Sequence, residues 1–174
     1  MNQTNPSSPR QMGLNVDDWL RVRSGSLYFT GLMWLIVDPG VSSHLLYAIT
    51  MSYDTSDWPV LMQLIEQLII NDLPIRQDIE DDNWTYSLSI FPSFDLAHPN
   101  DIWIEARNLR TGGLLGYDHF RFKSDRSQLL KGLFDSLDEV LKTENDKELW
   151  EEVLFDNEKY QDLKTQFFQN GSGS

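Results

Sequence analysis

Hydrophobic and polar residues alternate along this chain with two periods, and the changes between them predict the order of elements. Near the N-terminal third, His44, Leu46, Ala48, Thr50 and Ser52 share one face of an extended segment. Leu45, Tyr47, Ile49, Met51 and Tyr53 share the other, which predicts a half-buried strand. Before it, Leu27 to Val37 reads as one aromatic and β-branched strand, with Gly31 marking a bulge and Asp38-Pro39-Gly40 closing it. A shorter strand is expected over Trp19 to Arg23. The cleanest alternation comes later: Trp84, Tyr86, Leu88 and Ile90 face one way, Thr85, Ser87 and Ser89 the other. Ile102 to Asn108 and Leu115 to Lys123 are both strand-like, and the intervening Leu109-Arg110-Thr111-Gly112-Gly113 predicts an antiparallel hairpin.

The 3.6-residue period appears three times. Asp57 is the expected N-cap of a helix with Pro59 in its first turn, and Val60, Leu61, Leu64, Ile65, Leu68 and Ile69 form its apolar stripe. That helix ends before Pro74. Ser124 or Asp125 caps a second helix, striped by Leu129, Leu130, Leu133, Phe134, Leu137, Val140 and Leu141. A third helical stretch runs from about Lys147 to Phe168, with Asp156-Asn157 as its breaking point. Between the first helix and Trp84, the acidic run Asp78, Glu80, Asp81 and Asp82 reads as a loop, and Pro92 to Asn100 as another.

Strands joined by tight turns and followed by helices predict an α+β domain: an antiparallel sheet of about six strands with helices packed on one face. Residues 15–168 form this single domain. Residues 1–14 are an expected disordered lead, and 169–174 a tail ending in a Gly-Ser linker.

Charge changes the picture more than composition does. The chain of 174 residues carries a formal net charge of −13 and no cysteine. The missing thiols exclude a disulfide scaffold, a thiolate zinc site and a Cys nucleophile. The acidity argues against direct binding of nucleic acid or an anionic membrane, both of which need clustered Lys and Arg. The longest apolar run, Leu32 to Val37, is far shorter than the ~20 residues of a membrane span. A cytoplasmic location is expected. Residues 54–82 carry a net −7 and 124–174 a net −6, while the remaining segments balance to zero. In the C-terminal segment Lys interleaves with the acids, and Asp138 to Lys142 has the favourable i, i+4 order for a surface pair. Asp78 to Asp82 has almost no basic company, only Arg76 nearby. An electronegative patch there would steer a basic partner.

No catalytic motif stands out. His44, His98 and His119 occur in no paired-histidine zinc arrangement. His98 with Asp101, and Asp118 with His119, are sequence-close His–carboxylate pairs. There is no G-x-S-x-G elbow, and Thr111-Gly112-Gly113 lacks the Lys-Ser/Thr of a phosphate loop. No cofactor and no metal are expected. Of the six tryptophans, Trp103 is the informative one, because alternation groups it with Glu105 and Arg107, opposite Ile102, Ile104 and Ala106. That places it on the open face of the sheet, as a contact residue.

In size, acidity, absence of cysteine and strands-then-helix layout, residues 15–168 resemble immunity proteins of bacterial polymorphic-toxin systems. The resemblance is one of layout and carries over no family residues. It implies a non-enzymatic inhibitor that neutralises a basic partner, such as a toxin nuclease, by direct complex formation. Asp78, Glu80, Asp81, Asp82, Trp103 and Glu105 are the expected partner-binding residues. Two other classes fit the same features: an acidic secretion chaperone, and an enzyme with a dispersed His/carboxylate site.

Overall fold

The computed structural model describes residues 25–29, 34–38, 47–50, 57–80, 85–109, 119–143 and 155–171. Its elements run β1 (Ser26–Phe29), β2 (Trp34–Asp38), β3 (Tyr47–Thr50), α1 (Asp57–Ile70), β4 (Ile75–Glu80), β5 (Thr85–Pro92), β6 (Asp101–Asn108), β7 (His119–Asp125), α2 (Arg126–Thr143) and α3 (Asn157–Gly171). The class is α+β. The strands form two antiparallel sheets, one of three strands in the order β1-β2-β3 and one of four in the order β4-β5-β6-β7.

Two sequence expectations are corrected. The segment read as a single strand from Leu27 to Val37 is a hairpin, with Leu27 opposite Val37 and Phe29 opposite Leu35. Paired positions differ by an even number, Leu27 and Val37 by ten and Phe29 and Leu35 by six, so a period of two stays in phase across the reversal and alternation cannot reveal it. The acidic run read as a loop begins inside β4, where Ile75 and Ile79 are buried and Arg76 and Asp78 are exposed. β4 is an edge strand, and its charged side chains discourage pairing with another chain. The expected strand over Trp19 to Arg23, and residues 147–154 of the third helical stretch, lie outside the described residues.

The helix boundaries follow from local chemistry. Asp125 caps α2, its Oδ1 accepting from the Gln128 N–H at 2.9 Å. Asp156 caps α3 in the same way, through Lys159 N–H at 2.9 Å, so the expected breaking point is where a helix starts. At the end of α1, Asn71 takes φ 59°, and the N–H groups of Asn71 and Asp72 return to the carbonyls of Leu68 and Gln67. This is the paired capping pattern for which Asn substitutes for Gly.

One continuous core joins both sheets to all three helices. Leu88, Ile90, Ile102, Ile104 and Ala106 from the four-stranded sheet pack with Leu61, Leu64, Leu68, Leu129, Leu133 and Leu137 from α1 and α2. Trp58 stacks on Phe29 at 5.1 Å and meets Phe155 edge-on at 5.2 Å. The seam between the sheets is at β1 and β7. Gly25 N–H donates to the Lys123 carbonyl at 3.3 Å, and Phe29 N–H donates to Ser136 Oγ on α2 at 3.0 Å. A Cβ on Gly25 would lie 2.0 Å from the Phe122 ring, itself buried, so only glycine allows this approach.

A polar clamp fixes α3 to α2. The Tyr160 hydroxyl donates to Asp138 Oδ1 at 2.7 Å, and Lys164 bonds the other carboxylate oxygen. The expected Asp138–Lys142 pair is therefore replaced: Asp138 turns toward the donors on α3, and Lys142 stands 3.6 Å from Glu139. Burial pushes the Asp138 carboxyl up, but the Lys164 and Tyr160 hydrogen bonds outweigh it and leave it below the usual range. Burial, with the Asp138 charge, raises Tyr160, which keeps its proton.

Gly25→Ala should lose about 1–3 kcal/mol of folding free energy, because the added carbon overpacks against an immobile ring. Urea unfolding measures it, and an unchanged midpoint would show that the seam is loose. Asp138→Asn should cost about 1–2 kcal/mol at neutral pH. Since the folded carboxyl titrates below its unfolded value, this contribution is full above about pH 4 and lost as acid takes the pH through the folded value. The gap between wild type and variant should therefore narrow toward pH ~3; a constant gap would remove the charge from the account.

Candidate interaction face

Among the described residues, the helices cover one face of the four-stranded sheet, and strand alternation decides what the other presents. Register places Arg76, Ser89, Glu105 and Arg121 in one row across β4 to β7. Asp78, Ser87, Arg107 and His119 form the next row. Phe91, Trp103 and Lys123 form a third, and Ser93 and Asp101 lie beyond it toward the β5–β6 loop. Trp103 is half-buried, with the Arg121 guanidinium 4.9 Å and the Lys123 ammonium 5.4 Å from its ring. Cations at those distances are drawn to the ring's electron-rich face and hold the indole in place.

The expected site residues divide. Trp103 and Glu105 lie on this open face, as alternation predicted. Asp78 is there too, exposed, with Arg76 Nε 3.5 Å from its Oδ1. Arg107 reaches Glu105 at 3.0 Å. The Arg76–Asp78 pair is solvated and adds little stability, and the Glu105 carboxylate is the more buried of the two acids; together the pairs make the surface one of mixed charge. Glu80 closes β4, though its side chain, like Asp81 and Asp82, lies outside the described residues. So does His44, as does the side chain of His119.

Reasoning from sequence missed Arg76, Arg121 and Lys123 as members of this face. The signal was present in β4, where Ile75 and Ile79 alternate with Arg76 and Asp78, but the density of acids suggested a loop. It also missed Asp95. His98 was paired with Asp101 by proximity, whereas His98 Nδ1 contacts Asp95 Oδ2 at 3.0 Å, and Asp95 Oδ1 accepts from the Ala97 N–H at 3.0 Å. Those two hydrogen bonds hold the Asp95 carboxyl below the usual carboxylate range. Asp95, His98 and Asp101 together form the one group of potential metal ligands among the described residues.

The same loop exposes two large apolar side chains, Phe94 at 87% and Leu96 at 98%. Phe94 takes φ 55°, the left-handed region that an aromatic residue rarely adopts. Among the described residues, no helix is long and apolar enough to cross a membrane. Comparison with known proteins finds no family model, no curated protein and no solved structure that matches this chain.

Phe94→Gly should leave folding free energy unchanged or raise it by up to ~1 kcal/mol, because it removes backbone strain and surrenders almost no burial. Thermal and urea unfolding report the change; a clear loss would mean that the ring packs against the protein in solution.

Proposed function

We propose that this chain is a protein-binding inhibitor of the immunity type, which neutralises a basic protein such as a toxin nuclease by forming a direct complex. The observation that carries the reading is Trp103. It is a large, half-buried aromatic on the side of the sheet away from the described helices, clasped by Arg121 and Lys123 and ringed by side chains of both charges. Aromatic and Arg anchors of this kind dominate the energy of protein interfaces.

The charge acts at longer range. A net −13 attracts a cationic partner during diffusion, and the acids of β4 add to it at the sheet edge. Close contact then depends on the fit of the mixed-charge face, where a partner's Lys or Arg would replace Arg76 at Asp78 and share Glu105 with its present partners. Binding to such a surface needs no bound group and no reactive side chain.

The test is capture of the partner from the native host with the tagged chain, followed by titration of that partner's activity with the purified chain. A one-to-one complex with a Lys- and Arg-rich protein, and loss of that protein's activity on binding, are expected. Trp103→Ala should weaken the complex at least about tenfold. Reversing Asp78, Glu80, Asp81 and Asp82 together should slow association and flatten its salt dependence. A partner whose activity survives the complex, or a Trp103→Ala variant of equal affinity, would overturn the reading.

A further inference from the structure

We propose that the β5–β6 loop is a binding site for one first-row divalent transition cation, held by Asp95, His98 and Asp101. One ligand atom from each lies within 4.8 Å of the others. Metal–ligand bonds of about 2.0–2.2 Å place neighbouring ligand atoms about 3.0–3.5 Å apart. The His98 Nδ1 to Asp95 Oδ2 hydrogen bond spans 3.0 Å, so a cation that displaces its proton finds these two atoms already at that separation. An imidazole nitrogen with two carboxylate oxygens suits zinc, manganese, cobalt or ferrous iron, whereas calcium and magnesium favour oxygen alone.

A second observation points to the same place. Ser93 stands directly opposite Asp101, its N–H donating to the Asp101 carbonyl at 3.0 Å and continuing the register that pairs Pro92 with Ile102. Cross-strand neighbours project to the same side of a sheet. Ser93 Oγ is buried, and among the described residues it is the only such side-chain atom with no hydrogen-bond partner. Its lone pairs are available to a ligand beside the Asp101 carboxylate. Asp125, which faces Asp101 from β7, is occupied in capping α2 and is not part of the set.

The scaffold lowers the cost of assembling the ligands. His98 N–H bonds the Asp95 carbonyl, Asp101 N–H bonds the His98 carbonyl, and Arg126 N–H bonds the Asn100 carbonyl, each at 3.0 Å. Asp101 is only 2% exposed, and its backbone is held in the ladder between β5 and β7. A cation entering such a loop orders few additional groups, and its two positive charges offset two carboxylates held close together.

Isothermal titration of the full chain with zinc chloride, and separately with manganese chloride, at about 0.15 M salt tests the site. One saturable site per chain is expected for at least one of these ions, with calcium at least about tenfold weaker. His98→Ala, at an exposed side chain, and Asp95→Asn, at a half-buried one, should each weaken that site at least about tenfold. Asp135→Asn, which removes an exposed carboxylate on α2, should leave it unchanged. Circular dichroism confirms that each variant is folded, and cobalt loading gives a readout independent of stability: a visible absorption band in the wild type that His98→Ala lacks. Diffuse binding to many carboxylates, or a His98→Ala variant with wild-type affinity, would overturn the proposal.

Discussion

The pairing of β5 with β6 is the constraint on which the exposed chemistry depends. Ile90 stands opposite Ile104 and Leu88 opposite Ala106, all buried, while Ser89 stands opposite Glu105 and Phe91 opposite Trp103. A slip of one residue would carry Ile102 and Ile104 to the open side and drive Glu105 into the core. Each large aliphatic side chain moved from the interior to water costs about 1.5–3 kcal/mol, and burying an unpaired carboxylate costs more. The register is therefore set by the core, and the positions of Trp103, Glu105, Asp101 and Ser93 follow from it. The interaction face inherits its geometry from the packing behind it.

The distribution of charge follows the same division. Residues 83–123 balance because Arg107, Arg110, Arg121 and Lys123 match Asp95, Asp101, Glu105 and Asp118 in number, whereas β4 belongs to the acidic segment before them. On the helices the acids are only partly matched. Lys159 reaches Glu66 at 2.8 Å, joining α3 to α1, and Lys164 takes Asp138. The surplus of carboxylates elsewhere on the helices and at the edge of β4 gives the molecule its negative field. The acids of β4 thus have two physical effects, one on solubility and edge protection and one on the approach of a partner. Neither effect requires the other to be absent, since both arise from the same exposed carboxylates.

Periodicity exposed the parts of this fold in which each residue reports on one face. Strands β5 and β6 and the stripe of α2 were legible because their buried sides are almost wholly apolar. Periodicity failed where phase is ambiguous or where polar residues dominate. The β1–β2 reversal keeps the odd positions Leu27, Phe29 and Leu35 on a common face, so nothing in the alternation marks a turn. In β4 only two isoleucines carry the buried side, and Gln77 lies between them. The site was half legible for a related reason. Trp103 and Glu105 are neighbours along one strand, whereas Arg121 and Lys123 reach them only through cross-strand register, which a sequence does not state. Asp95 lies as near His98 in sequence as Asp101 does, and it escaped notice because only the turn of the loop, which no spacing states, brings its carboxylate to the His98 ring.

The β5–β6 loop shows how local strain is held by that register. Its ends are paired, Ser93 to Asp101 through the backbone and Pro92 to Ile102 within the ladder, so the segment between must reverse within a fixed span. Asp95 makes the reversal feasible by accepting from Ala97 and His98 through its two carboxylate oxygens. Phe94, immediately before it, then takes the left-handed conformation, at a cost of order 1–3 kcal/mol. The sheet behind the loop, fixed by several buried isoleucines and leucines, has enough binding energy to impose this geometry. A looser pairing of β5 and β6 would let Phe94 relax, and the Asp95, His98 and Asp101 side chains would separate with it.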